Sequence, residues 1–433
     1  MNFVGKKAAF YTLGCKLNFS ETSTIAGTFV KAGFELTDFR KKADVYVINS
    51  CSVTAPAEKA GRNIIRQAIR TNPDAIVVVA GCYAQLNPRE IGSIKGVDLI
   101  VGTEEKFSIP EYLNGLQKRD EAKIEISPLM KIKEYHKASS WGDRTRCFLK
   151  IQDGCDYFCT YCIIPYSRGR SRNDSIKNII AEAEKIIDKG FKEIILTGVN
   201  IGDFGKSTGE SFIKLLEEIL KIEGLKRLRL GSIEPNLLKD DIIKLVADSK
   251  IIMPHFHIPL QSGSDTVLKL MKRRYPAELF AQRVKQIRKL IPDAFIGVDI
   301  IAGTNGETEE LFRESYEFIK NLDISQLHAF TYSERKGTQA LKIPGKVDIH
   351  ERKRRTQMYI KLSEEKLSAF YNRYPGSEKT VLFESKTDNG VIIGFSENYI
   401  KVEVPYQKKL INELVKVKLL SVLSNGHMSA NII

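Results

Sequence analysis

The stretch DGCDYFCTYCIIPYSRGRSR, residues 153–172, sets Cys155, Cys159 and Cys162 within eight positions and follows them with Arg168, Arg170 and Arg172. Thiolates bind soft ions, and close spacing on one loop suits a tetrahedral zinc site or an iron–sulfur cluster. Structural zinc wants four protein ligands, and the nearest fourth is Cys147, eight residues before Cys155 inside the strand pattern CFLKI. A cubane can be held by three thiolates, which leaves one iron open to chelation by a small molecule.

Outward from this loop, strand and helix patterns alternate. CFLKI (147–151) runs into the cysteine loop, and EIILT (193–197), RLRLGS (227–232), HFHIPL (255–260), FIGVDII (295–301) and LHAFTYS (327–333) follow, with helical patterns between them. Six β/α units are two short of a full eight-stranded barrel, so the expectation is a partial parallel (β/α)6 barrel with its site at the carboxyl ends of the strands. A charged helix over 349–372 closes it, and four short β runs in 371–433 predict a small all-β barrel.

Toward the N-terminus, the runs 8–12, 45–49, 76–80 and 99–101 predict an open parallel α/β sheet. TLGCKLN, INSCSVT and VAGCYAQ place Cys15, Cys51 and Cys82 just past successive strands, at the edge where such sheets bind ligands. The expected fold class is therefore α/β, with an N-terminal open parallel sheet domain over 1–115, a linker over 116–140, the partial (β/α)6 barrel over 141–370 and a small all-β barrel over 371–433.

The chain has 433 residues, 42% of them hydrophobic, and no apolar run reaches the length of a membrane span. Its start lacks a secretory core, so a cytoplasmic, reducing location without membrane association is expected, and the seven cysteines read as ligands or buried thiols. A net charge of +14 is an attraction for polyanions, nucleic acid first among them.

With these motifs in place, C-x3-C-x2-C after the first barrel strand, with Tyr161 before the last cysteine, resembles the radical S-adenosylmethionine enzymes. TGVNIG (197–202), GSIEP (231–235) and GVDIIAGTNGETEE (297–310) are similar to that superfamily's cofactor segments. The resemblance implies Thr197, Gly198, Val199 and Asn200 against the methionine moiety, Ser232 and Glu234 at the ribose, and Gly303 in the adenine segment. GTNGE differs from the more usual GFPGE at Thr304 and Asn305, and RSRND from RSRS at Asn173.

The N-terminal trio, the barrel and a C-terminal barrel of the TRAM type together look like the methylthiotransferases, over essentially the whole chain. CSVTAPAEKA, HIPLQSGS and YSERKGTQA carry further likeness, and Lys16 and Leu17 in TLGCKLN resemble the branch that modifies N6-threonylcarbamoyladenosine next to the anticodon, at position 37 of tRNA. The resemblance implies two [4Fe-4S] clusters, one on Cys155, Cys159 and Cys162 for radical generation and one on Cys15, Cys51 and Cys82 for sulfur. It also implies S-adenosylmethionine as cofactor, tRNA as substrate, and an electron donor such as flavodoxin or ferredoxin. An aromatic C–H such as adenine C2 has no leaving group, so a radical is the chemistry that would suffice.

Arg168, Arg170, Arg172, Arg273 and Arg274 are candidate RNA or substrate contacts, since guanidinium suits phosphate and carboxylate; packing and ion pairing are the alternative. Arg62, Arg66 and Arg70 form a basic stripe that reads as a solvated face or a phosphate contact. Cys147 reads as a structural thiol, and His255 and His257 are expected to send only one ring inward and to ligate nothing. The competing functions are a methylthiotransferase for isopentenyladenosine or for an aspartate of a ribosomal protein, and a non-enzymatic zinc-bearing RNA-binding protein.

Overall fold

The computed structural model describes residues 3–129, 132–140, 145–388 and 390–433, so Trp141 and Asn389 of the predicted 388–390 turn lie outside the described residues. The N-terminal sheet has six parallel strands, β1 (Lys7–Thr12), β2 (Glu35–Thr37), β3 (Val45–Ser50), β4 (Ile76–Gly81), β5 (Leu99–Val101) and β6 (Lys123–Glu125), in the order β2-β1-β3-β4-β5-β6. Its central strand β3 is buried along its whole length, as a parallel strand covered on both faces must be. Helix Lys16–Lys31 contributes Ile25 and Phe29 to the apolar layer on one face, and helix Ala55–Thr71 contributes Ile65 and Ala68 to the other. The second helix starts where Thr54 Oγ1 caps Ala57 N at 3.3 Å with Pro56 in the first turn.

The reading of 116–140 as a bare linker is corrected: β6 pairs with β5 through Leu99, Ile100 and Val101 and completes the sheet. Its short apolar content, Ile124 and Ile126 among charges, hides it from periodicity.

The barrel strands are β7 (Arg146–Lys150), β8 (Glu193–Thr197), β9 (Arg227–Arg229), β10 (His255–Gln261), β11 (Phe295–Ala302) and β12 (Gln326–Thr331). They form two three-stranded parallel sheets joined by the bridges Leu228↔Ile252 and Ser232↔His257. Residues such as Leu149, Leu196, Leu228, Ile258 and Val298 enter the apolar layer shared with the surrounding helices, and the alternate positions face the lumen. The helix Ile349–Tyr371 lies along β12 and buries Arg352, Arg355 and Tyr359; Arg355 is satisfied by Glu307 at 2.9 Å and Glu351 at 2.7 Å.

Strands β13 (Glu378–Asp388), β14 (Val391–Ser396), β15 (Lys401–Pro405), β16 (Leu414–Val422) and β17 (Met428–Ile432) close into a barrel in the order β13-β14-β15-β17-β16. It sits against the amino ends of the (β/α)6 strands. Arg227 donates to the carbonyls of Phe395 and Thr380, Arg229 to those of Ser396 and Glu397, and Arg146 pairs with Glu384 at 2.8 Å. Glu193 lies among these arginines, 3.0 Å from Arg229, and Tyr399 packs tilted against His255 and edge-on against Phe295. The C-terminal barrel thus plugs the floor of the lumen and leaves the opposite mouth to the N-terminal domain.

Candidate active site between two cysteine trios

In the N-terminal sheet, Ser50 pairs with Gly81, so Cys51 and Cys82 emerge side by side one residue later. Cys15 reaches them because Leu13 N donates to Asn49 O at 2.9 Å and Asn18 Nδ2 donates to Leu13 O and Ser50 O. A side chain at Gly14 would place its Cβ 2.8 Å from the Cβ and Sγ of Cys51, so the glycine is required for this approach. Cys51 and Cys82 are buried, whereas Cys15 is exposed.

The second trio follows β7. Asp153 and Arg172 exchange two backbone hydrogen bonds of 2.9 Å, Cys155 N donates to Gly169 O at 3.0 Å, and Cys162 N donates to Cys159 O at 3.0 Å. Gly154, at φ +69°, presses against the backbone of Arg170 with no room for a Cβ. Burial pushes the thiols of Cys51, Cys155 and Cys162 up to about 12 and raises those of Cys15 and Cys159 as well. Thiols kept protonated in this way, Cys15 and Cys51 in one trio and Cys155, Cys159 and Cys162 in the other, suit a soft metal centre that displaces their protons.

Sulfurs around one tetrahedral zinc stand about 3.8 Å apart, given Zn–S bonds near 2.3 Å. Among the described residues no three of the cysteine sulfurs fall within 4.8 Å of one another, so neither trio is drawn in to the spacing of a single ion. Cys147 belongs to neither trio: it is fully buried and its thiol donates to Ser140 O at 3.1 Å.

Of the residues expected to meet the cofactor, Gly198, Asn200 and Glu234 are tied to the loop of the second trio. Gln152 Oε1 accepts from Asn200 N at 2.9 Å, and its amide donates to the carbonyls of Asp153 and Gly154, which ties the end of β8 to the cysteine loop. Gly198 packs directly on Gln152, and Ile151 N donates to Thr197 O at 2.9 Å. Both side-chain amide atoms of Asn200 are buried without a protein partner, as are Thr304 Oγ1 and Asn305 Oδ1. Orphaned polar atoms at this place fit a polar ligand such as the methionine and nucleoside groups of S-adenosylmethionine. Glu234 ion-pairs with Arg273, whose other nitrogen donates to Cys159 Sγ at 3.2 Å and to Tyr161 Oη at 3.4 Å. Ser232 Oγ bonds His257 Nδ1 at 2.7 Å, and His257 Nε2 bonds Asp299 at 2.8 Å. Gly303, at φ +79°, lies against Arg352 and donates its N–H to Glu307 at 2.6 Å.

Arg168 and Arg172 are corrected as RNA contacts. Arg168 is 1% exposed and binds Glu21 through both terminal nitrogens, Asp153 at 2.9 Å and Asn18 at 2.5 Å. Arg172 is committed to Asp153 and to the carbonyls of Glu134, Arg168 and Arg170. Lys106 and Lys150 join the same network on Glu21, so four buried cations, Lys106, Lys150, Arg168 and Arg172, surround two carboxylates, Glu21 and Asp153. Arg170 has a side chain 78% exposed and pairs with Asp156 at 3.6 Å, and Arg274 is an exposed cation over the ring of Tyr157 at 4.1 Å. In the stripe, Arg62 is held by Tyr83 and Glu90 at 2.9 Å, while Arg66 and Arg70 are exposed.

The expectation that only one of His255 and His257 faces inward is also corrected. His255 and His257 are two apart on β10 and share the lumen face, His255 against Phe295 and His257 against Asp299 and His328. The sequence reasoning missed Asn18, Glu21, Gln152 and Asp299; Glu21 alone carried a signal, since it interrupts the apolar spacing Leu17, Ile25, Phe29 on one helix face.

Residues 7–102 match the uncharacterized protein family UPF0004 and residues 149–319 the radical SAM superfamily. The chain is 41% identical over 420 residues to the threonylcarbamoyladenosine tRNA methylthiotransferase MtaB of Bacillus subtilis, covering 95% of this chain and 93% of the relative. It is 38% identical to the protein of that name from Aquifex aeolicus, covering 95% and 99%. It is 34% identical to the tRNA-2-methylthio-N(6)-dimethylallyladenosine synthase of Clostridium botulinum, covering 94% and 93%. Among solved structures, the radical S-adenosylmethionine methyltransferase TsrM of Kitasatospora setae, bound to tryptophan and an aza analogue of the cofactor, superposes with a TM-score of 0.57 at 16% identity, covering 76% of this chain and 74% of that one. That likeness supports the fold.

Proposed function

The chain belongs to the methylthiotransferase family of radical S-adenosylmethionine enzymes, and from that premise we propose that it adds a methylthio group to C2 of N6-threonylcarbamoyladenosine beside the anticodon of tRNA. The observation that carries the reading is the convergence of six of seven cysteines into two trios whose loops are joined by Arg168 and Glu21. When bound, the two [4Fe-4S] clusters and S-adenosylmethionine supply one-electron cleavage of the sulfonium and the sulfur for transfer.

The chain's own residues do the rest. Cys155, Cys159 and Cys162 would hold one cluster and Cys15, Cys51 and Cys82 the other. Asn200, whose backbone N–H is held by Gln152, would offer the cofactor its two unpartnered amide atoms, and Glu234 and Ser232 are oriented by Arg273 and His257. The floor sealed by Arg146, Glu193 and Arg229 keeps bulk water from entering the lumen from below. Arg170 and Arg274 remain exposed cations for the RNA backbone. An electron donor of the flavodoxin or ferredoxin type completes the reading; among the described residues no helix is long and apolar enough to cross a membrane.

The test is anaerobic turnover of two anticodon stem-loop RNAs, one carrying threonylcarbamoyladenosine and one dimethylallyladenosine, with nucleoside mass spectrometry. Methylthio product on the first RNA alone is expected. Product on the second alone would overturn the choice of substrate.

A further inference from the structure

The target nucleoside named above differs from dimethylallyladenosine in one decisive way: its side chain ends in a carboxylate. A site that prefers it needs a cation close to the reacting base, and most cations near the two trios are already spent. Lys106, Lys150 and Arg168 serve Glu21, Arg273 serves Glu234, and Arg335 serves Glu58.

Lys16 differs from all of these. It is the residue after Cys15 and the first of helix Lys16–Lys31, it is exposed, and it makes no ion pair among the described residues. Its helix is anchored to the barrel mouth by Asn18 and Glu21, which bind Arg168 and Lys150. Burial lowers the protonation of both lumen histidines, His257 adds to it at His328 and Arg229 at His255, and the charge of Lys16 acts in the same direction at each. It also favours the ionised form of Tyr399. With Cys15 beside it and its helix fastened to the barrel by Asn18 and Glu21, Lys16 stands where the N-terminal domain meets the mouth of the lumen.

The same lumen face offers a place for the base. Asp299 pairs in register with His328 and Ile301 with Phe330, so His328 and Phe330 project on one side of β12, and Phe330 is 48% exposed. An aromatic ring left open in a cavity is a stacking surface for a purine. With the base on Phe330, a side chain that leaves the purine edge can run down the lumen.

We propose that Lys16 is the specificity-determining cation of this site, its ammonium receiving the carboxylate of the threonylcarbamoyl group while Cys15 beside it serves the sulfur-bearing centre. This rests on the functional reading above and assigns its selectivity to one residue. A charge-assisted hydrogen bond of this kind corresponds to about tenfold or more in affinity.

The experiment compares two stem-loop RNAs, one with threonylcarbamoyladenosine and one with its carboxylate converted to the neutral methylamide, on wild type, Lys16→Gln and Lys16→Arg. Iron content is measured on each preparation. The wild type is expected to show a KM about tenfold or more lower for the carboxylate RNA. Lys16→Gln should raise that KM to the level of the amide RNA and leave the amide KM unchanged, and Lys16→Arg should stay within about threefold of wild type. Equal KM values for the two RNAs on the wild type overturn the inference without any variant. An equal loss on both RNAs in Lys16→Gln at full iron content overturns it as well. A wild type inactive on both RNAs overturns the functional reading and the inference with it.

Discussion

Arg168, six residues after Cys162, lays its two terminal nitrogens on the carboxylate of Glu21, six residues after Cys15, at 3.0 and 2.9 Å. The loop that ends one trio is thereby fastened to the helix that begins after the other. Neither partner sees solvent, so the pair acts as a rivet between domains rather than as a surface ion pair.

Glu21→Gln removes the charge that Arg168, Lys106 and Lys150 share and leaves buried cations uncompensated. The expected loss is about 3 kcal/mol or more. Anaerobic denaturant unfolding of wild type and variant measures it, and a loss below about 1 kcal/mol would contradict the rivet.

The same network predicts the response to acid. Burial alone would raise the Glu21 and Asp153 carboxyls, but the cations prevail: Arg168, Lys106 and Lys150 hold Glu21 below the usual carboxylate range, and Lys150, Arg168 and Arg172 do so for Asp153. Folded-state values below the unfolded ones mean that their stabilisation is complete above the unfolded value, about 4, and fades as pH falls through the folded one. Melting temperatures are expected to drop as pH is lowered from about 5, and Glu21→Gln should flatten that dependence.

Asn200→Ala removes the amide whose two polar atoms lack protein partners. Its KM for S-adenosylmethionine should rise about tenfold while the fold and iron content hold, because only the ligand is deprived of a partner. Unchanged cofactor affinity, read by equilibrium binding, would remove Asn200 from the cofactor cradle.

Cys147→Ala should keep the full iron content. The thiol is buried against Ser140 and outside both trios, so the variant loses packing and one weak hydrogen bond, about 1 kcal/mol in all. A fall in iron would make Cys147 a ligand.

The architecture was legible because its signals are local. Each N-terminal cysteine follows a β-branched run, and register does the rest once the strands are parallel, as Ser50↔Gly81 shows for Cys51 and Cys82. The C-terminal barrel announced itself through alternation such as VIIGFS, buried at every second residue. What escaped were partnerships made at long range. Arg168 and a surface arginine look alike in sequence, and only the arrival of Glu21 from 147 residues away buries one of them. Strand β6 escaped for a different reason: three residues at a sheet edge carry too little apolar pattern to be seen. The histidines were misread by their period, since residues two apart on a strand share a face.

The central claim is that the two trios hold two independent cubanes. Its most direct test is iron and sulfide content after anaerobic reconstitution of the wild type and of the Cys155→Ala, Cys159→Ala, Cys162→Ala variant. About eight irons falling to about four is the result expected for two [4Fe-4S] clusters. Zinc without iron, or a single cluster that vanishes altogether in the variant, would contradict the account and return Cys15, Cys51 and Cys82 to structural roles.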